Sequence, residues 1–356
     1  MTEPVGYPSR GSRLLSVILL AGLVALPACA KRETAKRADP HPSALIQPIY
    51  VATTRPLDHV GPAFGAARAT QMNYFRVNVS VPPTHQLGQI EWAGKKPDAR
   101  TDFVITETRI FGSLREMTSG VQRATPGRET MVFVPGYNNT LSEATYRLAQ
   151  IRADFDPGNP AVLFAWPSAG DPRGYVYDRD SVLFARDDLE NVLKSLTASP
   201  AEKVFLVAHS VGAHLAMEVL RQAALRGDRR LLNRIAGVVL MSPDIDPDLF
   251  RRQAGAIGKL PQPFFIFTSQ EDRALGLSAL LSGRKPRLGV VDGPDKVEGL
   301  DVKVIDFSEV SDGQGLNHTV PVTSPMAVRL LKGLISQSER EGRWMSDFIV
   351  LHKVPS

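Results

Sequence analysis

The chain has one cysteine in 356 residues, so no internal disulfide can form and no zinc site built on several cysteines is available. Aromatic residues are sparse at 7%, and no run of Lys and Arg interleaved with them occurs. That removes the footprint expected of a nucleic-acid binder. A strong net charge is missing too. Much of the formal +5 is N-terminal: Arg10, Arg13, Lys31, Arg32, Lys36 and Arg37 against Glu3, Glu33 and Asp39 supply +3 of it within residues 1–45. There is no internal repeat, and no low-complexity tract outside one polar stretch near the N-terminus. What remains, 43% hydrophobic and 22% charged residues, is the composition of an ordinary folded protein.

Arg10 and Arg13 precede an apolar run over residues 14–26. This is the charged-then-apolar layout of a secretory signal, and it falls short of the about 20 apolar residues that cross a bilayer. The run closes on Leu26-Pro-Ala-Cys29, which resembles a bacterial lipoprotein processing box. That resemblance implies that Cys29 becomes the lipid-modified first residue of a mature protein anchored in the cell envelope. The alternative is an ordinary cleaved signal and a soluble secreted or periplasmic protein. Residues 30–45 are charged, proline-bearing and poor in large apolar side chains, and read as a flexible tether. The folded part is expected over 46–356 as a single domain.

Two β-like stretches open that domain, at 46–51 and 74–81; the second alternates apolar and polar residues, as a half-exposed antiparallel strand does. From Thr130 the pattern changes. Short apolar runs at 131–134, 161–166, 204–207, 235–241, 264–267 and 302–307 are separated by helical patterns, notably 181–196, 213–225 and 324–335. Continuous apolar strands joined by helices require a mostly parallel sheet covered on both faces. The expected class is α/β, with an antiparallel N-terminal part.

One run carries chemistry. Val204-Phe-Leu-Val-Ala-His-Ser-Val-Gly212 is an apolar strand, a sharp turn and the start of a helix, with Ser210 at the apex. A serine lifted out of a sheet on such a turn, between small residues, is the arrangement of a nucleophile elbow. Ala208 stands where Gly-x-Ser-x-Gly has its first glycine. The bland alternative for Ser210 is a helix cap.

A serine hydroxyl needs an imidazole to take its proton, and the imidazole needs a carboxylate to fix its tautomer. His318, in a loop after the last of these strands, is the candidate base. His209 neighbours Ser210 but is expected to aim away from it. For the acid there are two clusters, both after a strand: Asp244 and Asp246, and then Asp272. All three satisfy the chain order serine, acid, histidine, so order does not decide. Loop structure and helix capping are the bland reading for Asp244 and Asp246. An oxyanion would need two backbone N–H donors. Val211, directly after the serine, is one; in the loop Pro135-Gly-Tyr-Asn-Asn139, Pro135 has no N–H and the Tyr137 amide is the choice.

Taken together, Thr53-Thr-Arg55, Val79-Ser-Val-Pro-Pro83 with His85 and Gly88, Phe133 to Thr140, Phe164 to Gly170, Tyr177-Asp178, Ala208 to Gly212, Ser242 to Asp246, Asp272 to Leu275 and Asn317-His318 resemble a bacterial α/β-hydrolase family of the uncharacterised esterase/lipase superfamily. The resemblance spans nearly everything from Ile46 to Ile335. It implies the α/β-hydrolase fold, a Ser210–Asp272–His318 triad and no cofactor or metal. It departs at Pro135, where the family has histidine before the glycine, which bears on the shape of the oxyanion loop. The expected activity is esterase- or lipase-like hydrolysis of a small-molecule or lipid ester. The alternative is a hydrolase-fold lipoprotein that has lost catalysis and serves in binding or as a scaffold.

Overall fold

The computed structural model describes residues 32–352 except 57–64, 125, 128, 156–157, 282, 284, 311–315 and 342–347. Cys29 and the signal-like segment lie outside the described residues. Ten strands form one sheet in the order β10-β9-β8-β7-β6-β4-β5-β1-β2-β3. Of the first three, β1 (Leu45–Thr53) and β3 (Val104–Phe111) each pair antiparallel with β2 (Asn73–Val81). The rest are parallel: β4 (Thr130–Val134), β5 (Ala161–Ala165), β6 (Val204–His209), β7 (Ile235–Met241), β8 (Phe264–Thr268), β9 (Lys303–Asp306) and β10 (Phe348–Val350). β1 joins the two halves by pairing parallel with β5.

Both faces of the parallel half are buried, which is why its strands read as unbroken apolar runs. In β4, Val132 and Val134 enter the core on one face and Phe133 the core on the other. Helices α1 (Leu114–Ala124), α3 (Tyr175–Phe184), α4 (Arg186–Leu196), α5 (Val211–Leu225), the short α6 (Arg229–Leu232) and α7 (Pro247–Ile257) cover the first face. Helix α2 (Leu141–Phe155), the single turn α9 (Val320–Thr323) and α10 (Pro325–Glu341) cover the second. A further helix, α8 (Arg273–Leu281), follows β8.

The helix expected over 181–196 is two helices, broken at Ala185. Strand β3 and helix α1 were not expected. β3 carries exposed charged residues and an Ile110 that is 70% exposed, so its pattern reads as surface.

The compact body begins at Ala35. Ile105 of β3 donates its N–H to the Lys36 carbonyl at 2.8 Å and accepts from the Ala38 N–H at 3.3 Å. Arg37 donates to the Thr108 hydroxyl at 2.6 Å. These bonds satisfy backbone groups that an edge strand would otherwise leave open. The excursion over 276–300, which the sequence leaves open as a lid or a plain surface segment, is held to the body at Leu288 and Gly289. Leu288 N–H donates to the Ile245 carbonyl at 2.8 Å, Gly289 N–H to that of Pro243 at 3.0 Å, and Ser269 N–H to that of Gly289 at 2.9 Å.

Strand order reverses around β4, which has β5 on one side and β6 on the other. A crevice opens at such a switch point, outside the carboxyl ends of the strands. The loops after β4, β6, β7, β8 and β9 all leave from that end. Order and strand directions are those of the α/β-hydrolase fold.

Candidate active site

Ser210 follows β6 directly, with φ 54° and ψ −123°, a backbone conformation that an L-residue adopts only under constraint. Its backbone is held from both sides. The N–H donates to the Met241 carbonyl at 2.9 Å, and the carbonyl accepts from Ala213 at 3.0 Å and Asp244 at 3.2 Å. The side chain makes no capping bond to α5, so the helix-cap alternative does not describe it. Gly212 permits the close crossing of α5 over the loop after β4, since a Cβ there would lie 2.3 Å from the Pro135 carbonyl oxygen. Ala208, in place of the first glycine of the motif, is fully buried and pairs with Val134 and Leu240.

The loop after β4 lies on the serine. A Cβ on Gly136 would sit 2.6 Å from His209 Nδ1 and 2.9 Å from the Ser210 Cβ. That closeness is a role for Gly136 that the sequence pattern did not assign. The loop is pinned by residues from three distant segments. Trp166 Nε1–H donates to the Pro135 carbonyl at 2.7 Å, and Arg55 to the Asn139 carbonyl at 2.8 Å. Asp178 accepts from the Asn138 N–H at 3.1 Å, the Ala169 N–H at 2.6 Å and the Ser168 hydroxyl at 2.6 Å. Burial raises the Asp178 pKa despite these donors, and desolvation lowers that of Arg55 to about 10 against the pull of Asp178.

At the far end of the loop, Thr140 and Glu143 form a reciprocal capping box that starts α2. The Asn138 and Asn139 amides are therefore engaged with Asp178 and Ser168. Val211 is the first residue of α5, and its N–H has no acceptor within the helix. Tyr137 packs edge-on against Tyr175, with ring centroids 5.5 Å apart, and its hydroxyl donates to the Pro172 carbonyl.

Asp272, which follows β8, and His318, in the loop after β9, meet. His318 Nδ1 lies 2.7 Å from Asp272 Oδ2. The other carboxylate oxygen, Oδ1, accepts the Leu275 N–H at 2.9 Å and so caps α8. Asn317, at φ 55°, makes the turn that delivers the imidazole, and the Arg273 N–H donates to the Leu316 carbonyl at 2.9 Å, tying the two loops together.

The other two aspartates are engaged elsewhere. Asp246 caps α7, accepting from Asp248 N–H at 2.9 Å and Leu249 N–H at 3.2 Å. Asp244 is buried in a polar cluster with Arg287 at 3.0 Å, the Ser278 hydroxyl at 2.7 Å and the Tyr175 hydroxyl at 2.9 Å.

His209 stands between Ser210 and His318. Its ring centroid is 4.6 Å from that of His318, and Nε2 is 3.2 Å from the His318 carbonyl oxygen. A carbonyl only accepts, so Nε2 carries the proton. Burial, and then the charge at His318, push the His209 pKa well below the ordinary histidine value, so the ring is neutral. Among the described residues, no group of three or more His, Cys, Asp or Glu is placed to hold a metal ion.

Gly136 lies against both His209 and Ser210, and the His209 ring lies against that of His318, so these residues and Asp272 gather at the carboxyl end of the parallel strands. The arrangement offers a hydroxyl on a raised turn, an imidazole whose tautomer a carboxylate can fix, and a braced backbone loop beside the serine.

Among solved structures, the chain is similar to esterase B of Lactobacillus rhamnosis, at 14% identity over 94% of this chain and 99% of that one, with a TM-score of 0.38. It is similar to brefeldin A esterase, a bacterial homologue of human hormone sensitive lipase, at 14% identity over 96% and 90%, with a TM-score of 0.35. A third is TT1662 from Thermus thermophilus, at 13% identity over 74% and 93%, with a TM-score of 0.39. No curated protein matches the chain. Residues 114–336, more than half of its length, match the family described as alpha/beta hydrolase of unknown function (DUF900), and the chain belongs to that family.

Proposed function

We propose that this protein is a serine hydrolase of carboxylic esters, working through an acyl-enzyme. The observation that carries the reading is the 2.7 Å contact between Asp272 and His318, whose ring packs on His209, the residue that precedes Ser210 on its constrained turn. A carboxylate accepts only, so the Nδ1 proton of His318 faces Asp272 and Nε2 is left to accept from Ser210. Ser210 Oγ attacks the acyl carbon while His318 takes its proton. The tetrahedral oxyanion is held by the Val211 amide and the Tyr137 amide, the latter braced by Arg55, Ser168 and Asp178. The C–O bond breaks, His318 returns the proton to the leaving alcohol, and a water repeats the sequence to release the acid.

The substrate class we propose is a small-molecule or lipid ester, met at a membrane of the cell envelope to which lipidated Cys29 anchors the protein. A fluorophosphonate probe should label the purified protein, and Ser210→Ala should abolish labelling while circular dichroism stays unchanged. Equal labelling of both proteins removes Ser210 from the mechanism. Absence of labelling and of ester turnover in the wild type favours the non-catalytic alternative.

A further inference from the structure

His85 and Gly88 belong to a loop with no part in the chemistry above, yet the loop reaches the segment that follows the proposed base. His85 sits between two carboxylates, with Nδ1 2.9 Å from Glu91 Oε2 and Nε2 3.0 Å from Asp154 Oδ1. Asp154, on α2, is fully buried at its side chain. Its second oxygen accepts from the Gly88 N–H at 2.8 Å and from the Gln150 amide. The same Gln150 nitrogen donates to the Val322 carbonyl at 3.0 Å. Gly88, at φ 81°, packs so closely on α9 that a Cβ would lie 2.2 Å from the Thr323 carbonyl oxygen. Polar and steric contacts therefore run from His85 to the single helical turn that begins two residues after His318.

That turn needs outside support. Four residues cannot sustain a helix alone, because nucleation is unfavourable without further turns. Packing behind His318 does not supply all of the support, since a void of about 20 Å³ lies between Arg147, His209, His318, Thr319 and Val322. Such a space holds about one water molecule.

We propose that the His85 loop is a strut that positions His318, and that the His85 imidazolium, bridging Glu91 and Asp154, locks it. The inference rests on the reading of His318 as the general base. Only the doubly protonated ring donates from both nitrogens; the neutral ring must turn a lone pair toward one carboxylate, and one bridge opens. The groups that face the pair are Glu91 from the loop itself, Asp154 and Arg147 from α2, and Lys332 from α10, whose ammonium donates to the Asp154 carbonyl at 2.6 Å. The Phe103 ring closes the remaining side, edge-on at 5.4 Å. Burial pulls the His85 pKa down, but the bonds to Asp154 and Glu91 outweigh it and raise it to about 9. The lock is therefore complete below the ordinary histidine value and is released as pH rises through about 9.

The test is turnover of p-nitrophenyl acetate against pH in wild type, His85→Gln and Gln150→Met, normalised to folded protein by circular dichroism. The wild type should lose kcat with an apparent pKa near 9, at a KM constant within about two-fold. His85→Gln should start at least ten-fold lower in kcat and lack that limb. Gln150→Met, which breaks the bonds to Val322 and to the second Asp154 oxygen but leaves both contacts of the His85 ring, should reproduce the loss in kcat, so a failure of His85→Gln to fold still leaves two readings. Unchanged kcat and an unchanged alkaline limb in the variants overturn the strut, as does a change confined to melting temperature. Absence of fluorophosphonate labelling at wild-type Ser210 instead defeats the hydrolase reading beneath it.

Discussion

Replacing Asp272 by asparagine is the sharpest test of the site, because the structure dictates how the new amide will lie. The aspartate uses both oxygens: Oδ1 caps α8 through Leu275 at 2.9 Å, and Oδ2 meets His318 at 2.7 Å. In Asp272→Asn the single carbonyl oxygen is drawn to the Leu275 N–H, which only an acceptor can satisfy. The NH2 group must then face His318 Nδ1. That nitrogen becomes an acceptor, its proton moves to Nε2, and the nitrogen meant to take the serine proton is blocked. In serine proteases the same substitution lowers turnover by on the order of 10⁴, or roughly 5.5 kcal/mol of transition-state stabilisation. Stability should barely move, since asparagine caps helices about as well as aspartate. Asp246→Asn is the control, and for the same reason the α7 cap should survive it with turnover unchanged. The assay is kcat on one activated ester per folded molecule, with urea unfolding alongside. More than a tenth of wild-type turnover in Asp272→Asn, or a collapse in Asp246→Asn, refutes the assignment.

His214, on the first turn of α5, is buried, and desolvation followed by the charge of Arg179 lowers its pKa from 6.5 to about 4. The unfolded chain takes up that proton first, so the contribution to stability is complete above about 6.5 and drains away as pH falls toward 4. Urea unfolding should show roughly 2–3 kcal/mol more loss between pH 7 and 4.5 in the wild type than in His214→Gln; parallel curves would contradict the burial argument. For the proposed anchor, Cys29→Ser should convert a detergent-requiring protein into a soluble or unprocessed one on membrane fractionation, and identical partitioning of the two would dismiss lipidation.

The elbow was legible because its signal is local: an apolar strand, one serine between small residues, and an apolar helix, all within residues 204–225. The candidate acids were not separable by local pattern, because Asp244, Asp246 and Asp272 each follow a strand and differ in what their carboxylates touch. Two of those partners are helix N-termini, and the third is an arginine 43 positions away, as the numbering shows. The bracing of the loop after β4 was equally hidden. Arg55 and Asn139 lie 84 positions apart, and nothing in Thr53-Thr-Arg55 names the carbonyl it will hold. Strand β3 escaped notice because an edge strand with one wet face has no continuous apolar run. The segment after Ala35 looked like a linker by composition; it pairs through its backbone, which composition does not record.

The place of β1 in the sheet has a consequence for how the chain becomes a protein. Strands β1, β2 and β3 succeed one another in sequence and pair as neighbours, so they can associate as soon as residue 111 has emerged. The other edge of β1 must wait, because its partner for Ile49 is Ala161. During that interval a strand whose central residues end up fully buried stands with one row of amides and carbonyls open. Closing so long a loop is slow, and unpaired edges are where nascent chains meet the wrong partner. Yield of soluble protein should therefore be most sensitive to changes along the β1–β5 seam, even where a substitution leaves the finished molecule as stable as before.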